Sequence, residues 1–213
     1  QDLRFAVRTL RAAPGFSLAA IVVLAVGIGA TAAMFSVIDA VLLKPLRFDA
    51  PDRLVALFET NPERGWQRAQ VAAANYLDWS ERATTFTGMA AYNDWLVERI
   101  HMLEGEPTVV NANEVTGNFF AVLGAELILG AGFETGDEWI GGERKVVLSH
   151  AYWLQYKGGR PEVIGGTLVL DDVPHTIVGV AAPELRFPFA GVDAWIPLEW
   201  DPADRAKLFF RRA

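Results

Sequence analysis

Apolar side chains run almost unbroken through SLAAIVVLAVGIGATAAMFSVIDAVLL, residues 17–43, and between Phe16 and Leu43 the one charge is Asp39. A helix rises about 1.5 Å per residue, so roughly 20 apolar residues cross about 30 Å of hydrocarbon. An export signal has a shorter apolar region of about 7 to 15 residues. A buried globular helix runs about 8 to 20 residues and keeps a polar face, whereas Ile21 to Ala30 has no polar side chain. The pattern predicts a transmembrane helix over residues 16–43. Ahead of it, in residues 1–15, Arg4, Arg8 and Arg11 share one helical face and Leu3, Ala6, Val7 and Leu10 another. That alternation predicts an amphipathic interfacial helix in the headgroup layer, with Pro14 and Gly15 as a break before the span.

Beyond residue 48 the pattern becomes mixed. Asp52 to Thr60 reads as a strand, with Val55 and Leu57 alternating against Ala56 and Phe58, and Ala72 to Arg82 as a short helix with Tyr76 and Trp79 on one face. Two strand-like runs, Trp95 to Leu103 and Thr108 to Val115, flank the turn-forming Glu104-Gly105-Glu106-Pro107. Thr116-Gly117-Asn118 leads into a helix from Phe119 to Leu123, closed by Gly124 as a left-handed cap. A strand from Lys145 to Ser149 precedes a helix from Ala151 to Lys157 ended by Gly158-Gly159. A hairpin pairs Gly166 to Leu170 with His175 to Val180 around Asp171-Asp172-Val173-Pro174. Strands and short helices mix without regular alternation, which predicts an α+β domain over residues 48–213.

Charge separates the same two parts. Residues 1–47 carry five basic and two acidic side chains, leaving fourteen basic and twenty-four acidic for the rest of a chain of net charge −7. Basic flanks stay cytoplasmic, so the N-terminus is expected inside and residues 48–213 outside. An acidic domain of this kind excludes nucleic acid, whose affinity comes from Lys and Arg on phosphates. With no cysteine in the chain, disulfides and thiolate zinc sites are excluded as well. The chain does not begin with Met and is expected to be a piece of a longer protein.

Candidate chemistry is sparse. No two of His101, His150 and His175 stand three or four residues apart, as a zinc helix requires. Glu98 and Glu104 lie three from His101, a spacing that faces apart in a strand. Ser149-His150 are sequence neighbours and do not face each other, and no G-x-S-x-G elbow occurs. Gly158-Gly159 and Gly165-Gly166 lack the lysine of a phosphate loop, and Asp171 and Asp172 are turn formers. No catalytic, cofactor or metal residue is expected. Inside the span Ala25, Gly29 and Ala33 recur every fourth residue, a small-residue stripe that suits either close approach of another helix or a bilayer-facing surface.

Four blocks carry a resemblance: residues 2–46 (DLRFAVRTLRAAPGFSLAAIVVLAVGIGATAAMFSVIDAVLLKPL), 75–92 (NYLDWSERATTFTGMAAY), 115–133 (VTGNFFAVLGAELILGAGF) and 146–188, which opens VVLSHAYWLQYKGGRPEVIGG. Together they resemble the permease subunits of MacB-like ABC transporters, the FtsX-like permeases, in the form of the acidobacterial duplicated orphan permease branch. Ala182 and Glu184-Leu185 depart from that pattern where a Pro- and Gly-containing turn is common, and Gly166 where a longer polar side chain is. The resemblance implies a bacterial inner-membrane permease without catalysis of its own. A partner ABC ATPase in the cytoplasm would drive the spans, and a periplasmic core domain, incomplete here, would act on substrates or partner proteins outside. Membrane lipid and the spans of the same permease or of a second copy are the other partners implied. A single-span anchored binding or sensor protein is the alternative that the residues leave open.

Overall fold

The computed structural model describes residues 14–38, 48 and 50–201, and the chain divides into two compact units between Pro45 and Leu46. In the first, helix α1 (Pro14–Ile38) has 25 residues, about 37 Å at the usual helical rise. Its stretch Ser17–Phe35 has a mean hydropathy of 2.4 and is not buried in the fold. Pro14 and Gly15, expected as a break, are helical residues of α1. Within α1, Thr31 Oγ1 donates to the Gly27 carbonyl at 2.8 Å. Arg4, Arg8 and Arg11, with the interfacial helix expected around them and the expected end of the span at 39–43, lie outside the described residues.

In the second unit, β1 (Glu59–Asn61) and β2 (Trp66–Ala69) form a two-stranded ribbon, followed by α2 (Ala73–Arg82). The expected strand over 52–60 is corrected here. Pro51–Arg53 is a 3-10 turn, Leu54 to Phe58 pairs with no described strand, and pairing starts only at Glu59. Alternation makes a strand where a neighbour supplies hydrogen bonds and a core covers one face. Val55 is 64% exposed, and Leu57 and Phe58 are 40% exposed. The Arg68 guanidinium lies over the Phe58 ring, 3.6 Å from its centroid.

A seven-stranded sheet follows, built from β3 (Val97–Leu103), β4 (Glu106–Val115), β5 (Leu127–Gly130), β6 (Lys145–Leu148), β7 (Thr167–Leu170), β8 (Val173–Ala181) and β9 (Ala194–Pro197). Its order is β3-β4-β9-β6-β8-β5, with β7 on β8. The β4–β9 and β6–β8 pairs are parallel and the others antiparallel, the mixed α+β architecture expected from sequence. Both hairpin turns are shorter than expected. Leu103 pairs with Glu106 across Glu104-Gly105, and Leu170 pairs with Val173 across Asp171-Asp172. All four turn residues have positive φ, the two-residue turn whose twist matches that of the strands. Pro107 and Pro174 sit one residue beyond the closing pair, opposite Met102 and Val169. There the N–H points away from the hairpin partner, so the missing donor costs that ladder nothing.

The sheet curls until its ends meet. Asp171 N–H donates to the Ile100 carbonyl at 2.8 Å, Ile100 N–H returns a bond to Asp171 Oδ1 at 2.8 Å, and His101 Nδ1 bonds the Val169 carbonyl at 3.0 Å. Inside the curl lie Val110, Ala112, Val146, Leu148, Leu168, Ile177 and Val180, with Tyr152 from α4 (His150–Lys157). A second core on the other side gathers Val115, Val147 and Trp195 with Phe119 and Phe120 of α3 (Phe119–Leu123). Val147 and Trp195 belong to one core while their neighbours Val146, Leu148, Ala194 and Ile196 belong to the other, so β6 and β9 are buried on both faces.

Candidate functional site

Four features are candidate sites: the small-residue stripe of α1, the block around Gly117, a charged cleft at the mouth of the curled sheet, and the outward face of the β3–β4 hairpin. Along α1, Ala25, Gly29 and Ala33 are all exposed. A Cβ added at Gly29 would meet no atom within 4 Å, so a neighbouring helix could approach the backbone there.

The Thr116-Gly117-Asn118 block is a structural junction. Thr116 Oγ1 accepts from Ala91 N–H at 3.0 Å and donates to Asn118 Oδ1 at 2.9 Å. Asn118 Nδ2 and Tyr76 Oη both donate to the Met89 carbonyl, at 2.7 and 3.0 Å. Gly117 N–H and Gly136 N–H hold the buried Glu138 carboxylate at 3.1 and 2.9 Å. Gly117 is required there because a Cβ would collide with the Glu134 carbonyl and stand 2.8 Å from Glu138 Oε2. The block thereby ties α2, α3 and the loop before β6 to one another.

The cleft, of about 100 Å³, is lined by β3, β4, the 137–145 loop, the β7–β8 turn and the end of β9. Most of its charges are paired. Arg99 binds Glu114 at 2.9 Å and Asp171 at 3.2 Å, Lys145 binds Asp137 at 2.9 Å, and Arg144 reaches Glu199 at 3.3 Å. The Asp137 side chain raises the Lys145 pKa above the usual lysine value. The Ile100 N–H, and after it Arg99, hold the Asp171 carboxyl below the ordinary carboxylate range. Burial lowers the His175 pKa, and its Nδ1 bonds the Val173 carbonyl at 3.0 Å. The Arg99–Asp171 pair joins β3 to the β7–β8 turn, and Glu143, also in the cleft lining, accepts from Thr176 Oγ1 at 2.7 Å.

The remaining candidates for chemistry have structural partners. Ser149 Oγ accepts from Tyr152 N–H at 3.1 Å as the N-cap of α4. His150 packs edge-on against Trp153 with ring centroids 5.5 Å apart. Gly158, at φ 65, is the left-handed cap that ends α4. Among the described residues no group of three or more His, Asp or Glu side chains is placed to hold a metal ion. None of the cleft pairs was foreseen from sequence: Arg99 and Asp171 are 72 residues apart, and Asp137 and Lys145, 8 apart, meet only through the fold of the loop between them.

The hairpin's outward face is apolar. Ile100, Met102 and Val109 are 40%, 52% and 48% exposed, and Ile100 pairs directly with Val109.

Fold and surface together define a class: a mixed α+β domain joined in one chain to an apolar helix of membrane-crossing length. Residues 17–211 match the MacB-like periplasmic core domain family, and the chain belongs to that family. Among solved structures it is similar to the periplasmic region of MacB from Actinobacillus actinomycetemcomitans, at 15% identity and TM-score 0.45, over 66% of this chain and 62% of that one. It is also similar to the extracellular domain of the noncanonic ABC-type transporter YknZ from Gram-positive bacteria, at 15% identity and TM-score 0.44, over 57% of this chain and 59% of that one. The chain thus spans less than two thirds of the length of either. No curated protein sequence matches it.

Proposed function

We propose that this chain is the first span and part of the periplasmic core of an ABC-transporter permease in the bacterial inner membrane, with its N-terminus in the cytoplasm. The observation that carries the reading is the union, in one polypeptide, of an exposed 19-residue apolar stretch with a MacB-like core domain. ATP is hydrolysed on a separate cytoplasmic ABC subunit, and movement of the spans passes to the outer domain for export or mechanotransmission. Arg4, Arg8 and Arg11 lie at the cytoplasmic membrane surface, where three positive charges favour anionic headgroups. Ala25, Gly29 and Ala33 form the contact with another span of the same permease or of a second copy.

The test is ATPase and export coupling in cells carrying the full-length gene, with Arg4, Arg8 and Arg11 changed together to Glu, and separately with Gly29→Leu. The reading expects the arginine variant to insert but lose coupling, and Gly29→Leu to weaken assembly. Unchanged function of both variants in a protein that spans the membrane only once would favour a single-span anchored binding or sensor protein.

A further inference from the structure

We propose that the outward face of the β3–β4 hairpin is a docking surface for a protein whose apolar face is flanked by lysine or arginine. The inference goes beyond the permease reading and does not depend on ATPase coupling.

Strand alternation places Glu98, Ile100 and Met102 on one face of β3, and the register sets Ile100 opposite Val109 and Met102 opposite Pro107. Residues Asn113 and Val115, further along the same face of β4, are buried, with Val115 in the second core. The core stops short of the hairpin tip, leaving Ile100, Met102 and Val109 each 40% to 52% exposed. Carboxylates flank this strip: Glu98 at one end on the same face and Glu104 at the turn, while Glu106, paired with Leu103, belongs to the opposite face. The hairpin's one Lys or Arg, Arg99, is on the opposite face and is bound to Glu114 and Asp171.

Charge decides the occupant. An anionic lipid surface would be repelled by the carboxylate rim. A second copy meeting this face with the same face would set glutamates against glutamates. A protein with an apolar strip between basic side chains satisfies both parts of the surface. Three half-exposed side chains make a small contact, so the complex is of the weak, transient class.

The experiment uses the purified full chain in detergent and an eight-residue peptide of alternating leucine and lysine, with a leucine–glutamate peptide and anionic vesicles as comparisons. Binding is read by fluorescence anisotropy or, for vesicles, co-flotation. The lysine peptide is expected to bind, the two comparisons not. Met102→Gln with Val109→Gln, and separately Glu98→Gln with Glu104→Gln, should each weaken it by about tenfold. Glu162→Gln, exposed in a different turn, should leave it unchanged, and all variants should keep the wild-type circular dichroism. Absence of binding, equal binding of the glutamate peptide or vesicles, or equal loss in the Glu162 variant would overturn the proposal. So would unchanged affinity in the Met102/Val109 variant, or self-association abolished by it.

Discussion

Asp171→Ala should open the seam that closes the curled sheet. In the native protein Asp171 Oδ1 accepts from Ile100 N–H at 2.8 Å, Oδ2 accepts from Arg99 at 3.2 Å, and the residue sits at φ 48 in a two-residue turn. A hydrogen bond to a charged acceptor contributes about 1.5–3 kcal/mol. The Asp171 side chain is 40% exposed, so solvent screening reduces the ion-pair share, and Arg99 keeps Glu114. The net expected loss is about 1–2 kcal/mol, or a fall of roughly 2–8 °C in Tm for a domain of this size. Asp171→Asn, which keeps an acceptor for Ile100 and tolerates the left-handed turn, should lose about half as much. The assay is urea and thermal unfolding of the full chain in detergent, followed by tryptophan fluorescence. Because the folded carboxyl titrates below its unfolded value near 3.9, its charge-dependent contribution is complete above about pH 4. That contribution is lost as pH falls through the lower folded pKa. The wild-type advantage over Asp171→Ala should therefore be flat at neutral pH and shrink below about pH 4. Equal stability of wild type and the alanine variant, or an asparagine variant as weak as alanine, would refute the latch.

Gly117→Ala should destabilise by about 3 kcal/mol, because the new methyl group meets backbone at Glu134 that cannot swing aside; a wild-type unfolding midpoint would show that this junction yields. His175, pushed down by burial, is protonated more readily in the unfolded chain, so its folded state loses stability as pH falls from about 6.5 towards the folded value. The stability of wild type relative to His175→Asn should accordingly be greater at pH 7.5 than at pH 5.5, and a constant difference would contradict this.

What could be read from sequence is what local chemistry decides. The caps at Gly124 and Gly158, the turn at Asp171-Asp172 and helices α2, α3 and α4 depend on residues within a few positions of one another. Leu127–Gly130 and Ala194–Pro197 were not foreseen as strands. β9 is buried throughout, so no polar position marks its alternation. Leu54 to Phe58 shows the converse, a strand-like alternation without a described pairing partner. The cleft was invisible for a different reason: Arg99 finds Glu114 15 residues away and Asp171 72 residues away, and only the closed curl brings the three together.

Topology tests the central claim most directly. Residues 1–213 contain no cysteine, so, with any cysteine elsewhere in the full-length protein changed to serine, single cysteines at Asp2 and at Glu162 report position without background. Labelling is with a membrane-impermeant maleimide in spheroplasts of cells carrying the full-length gene. The account predicts that Glu162→Cys is labelled at once and Asp2→Cys only after the membrane is permeabilised. The reverse pattern, or labelling of both in intact spheroplasts, would contradict it.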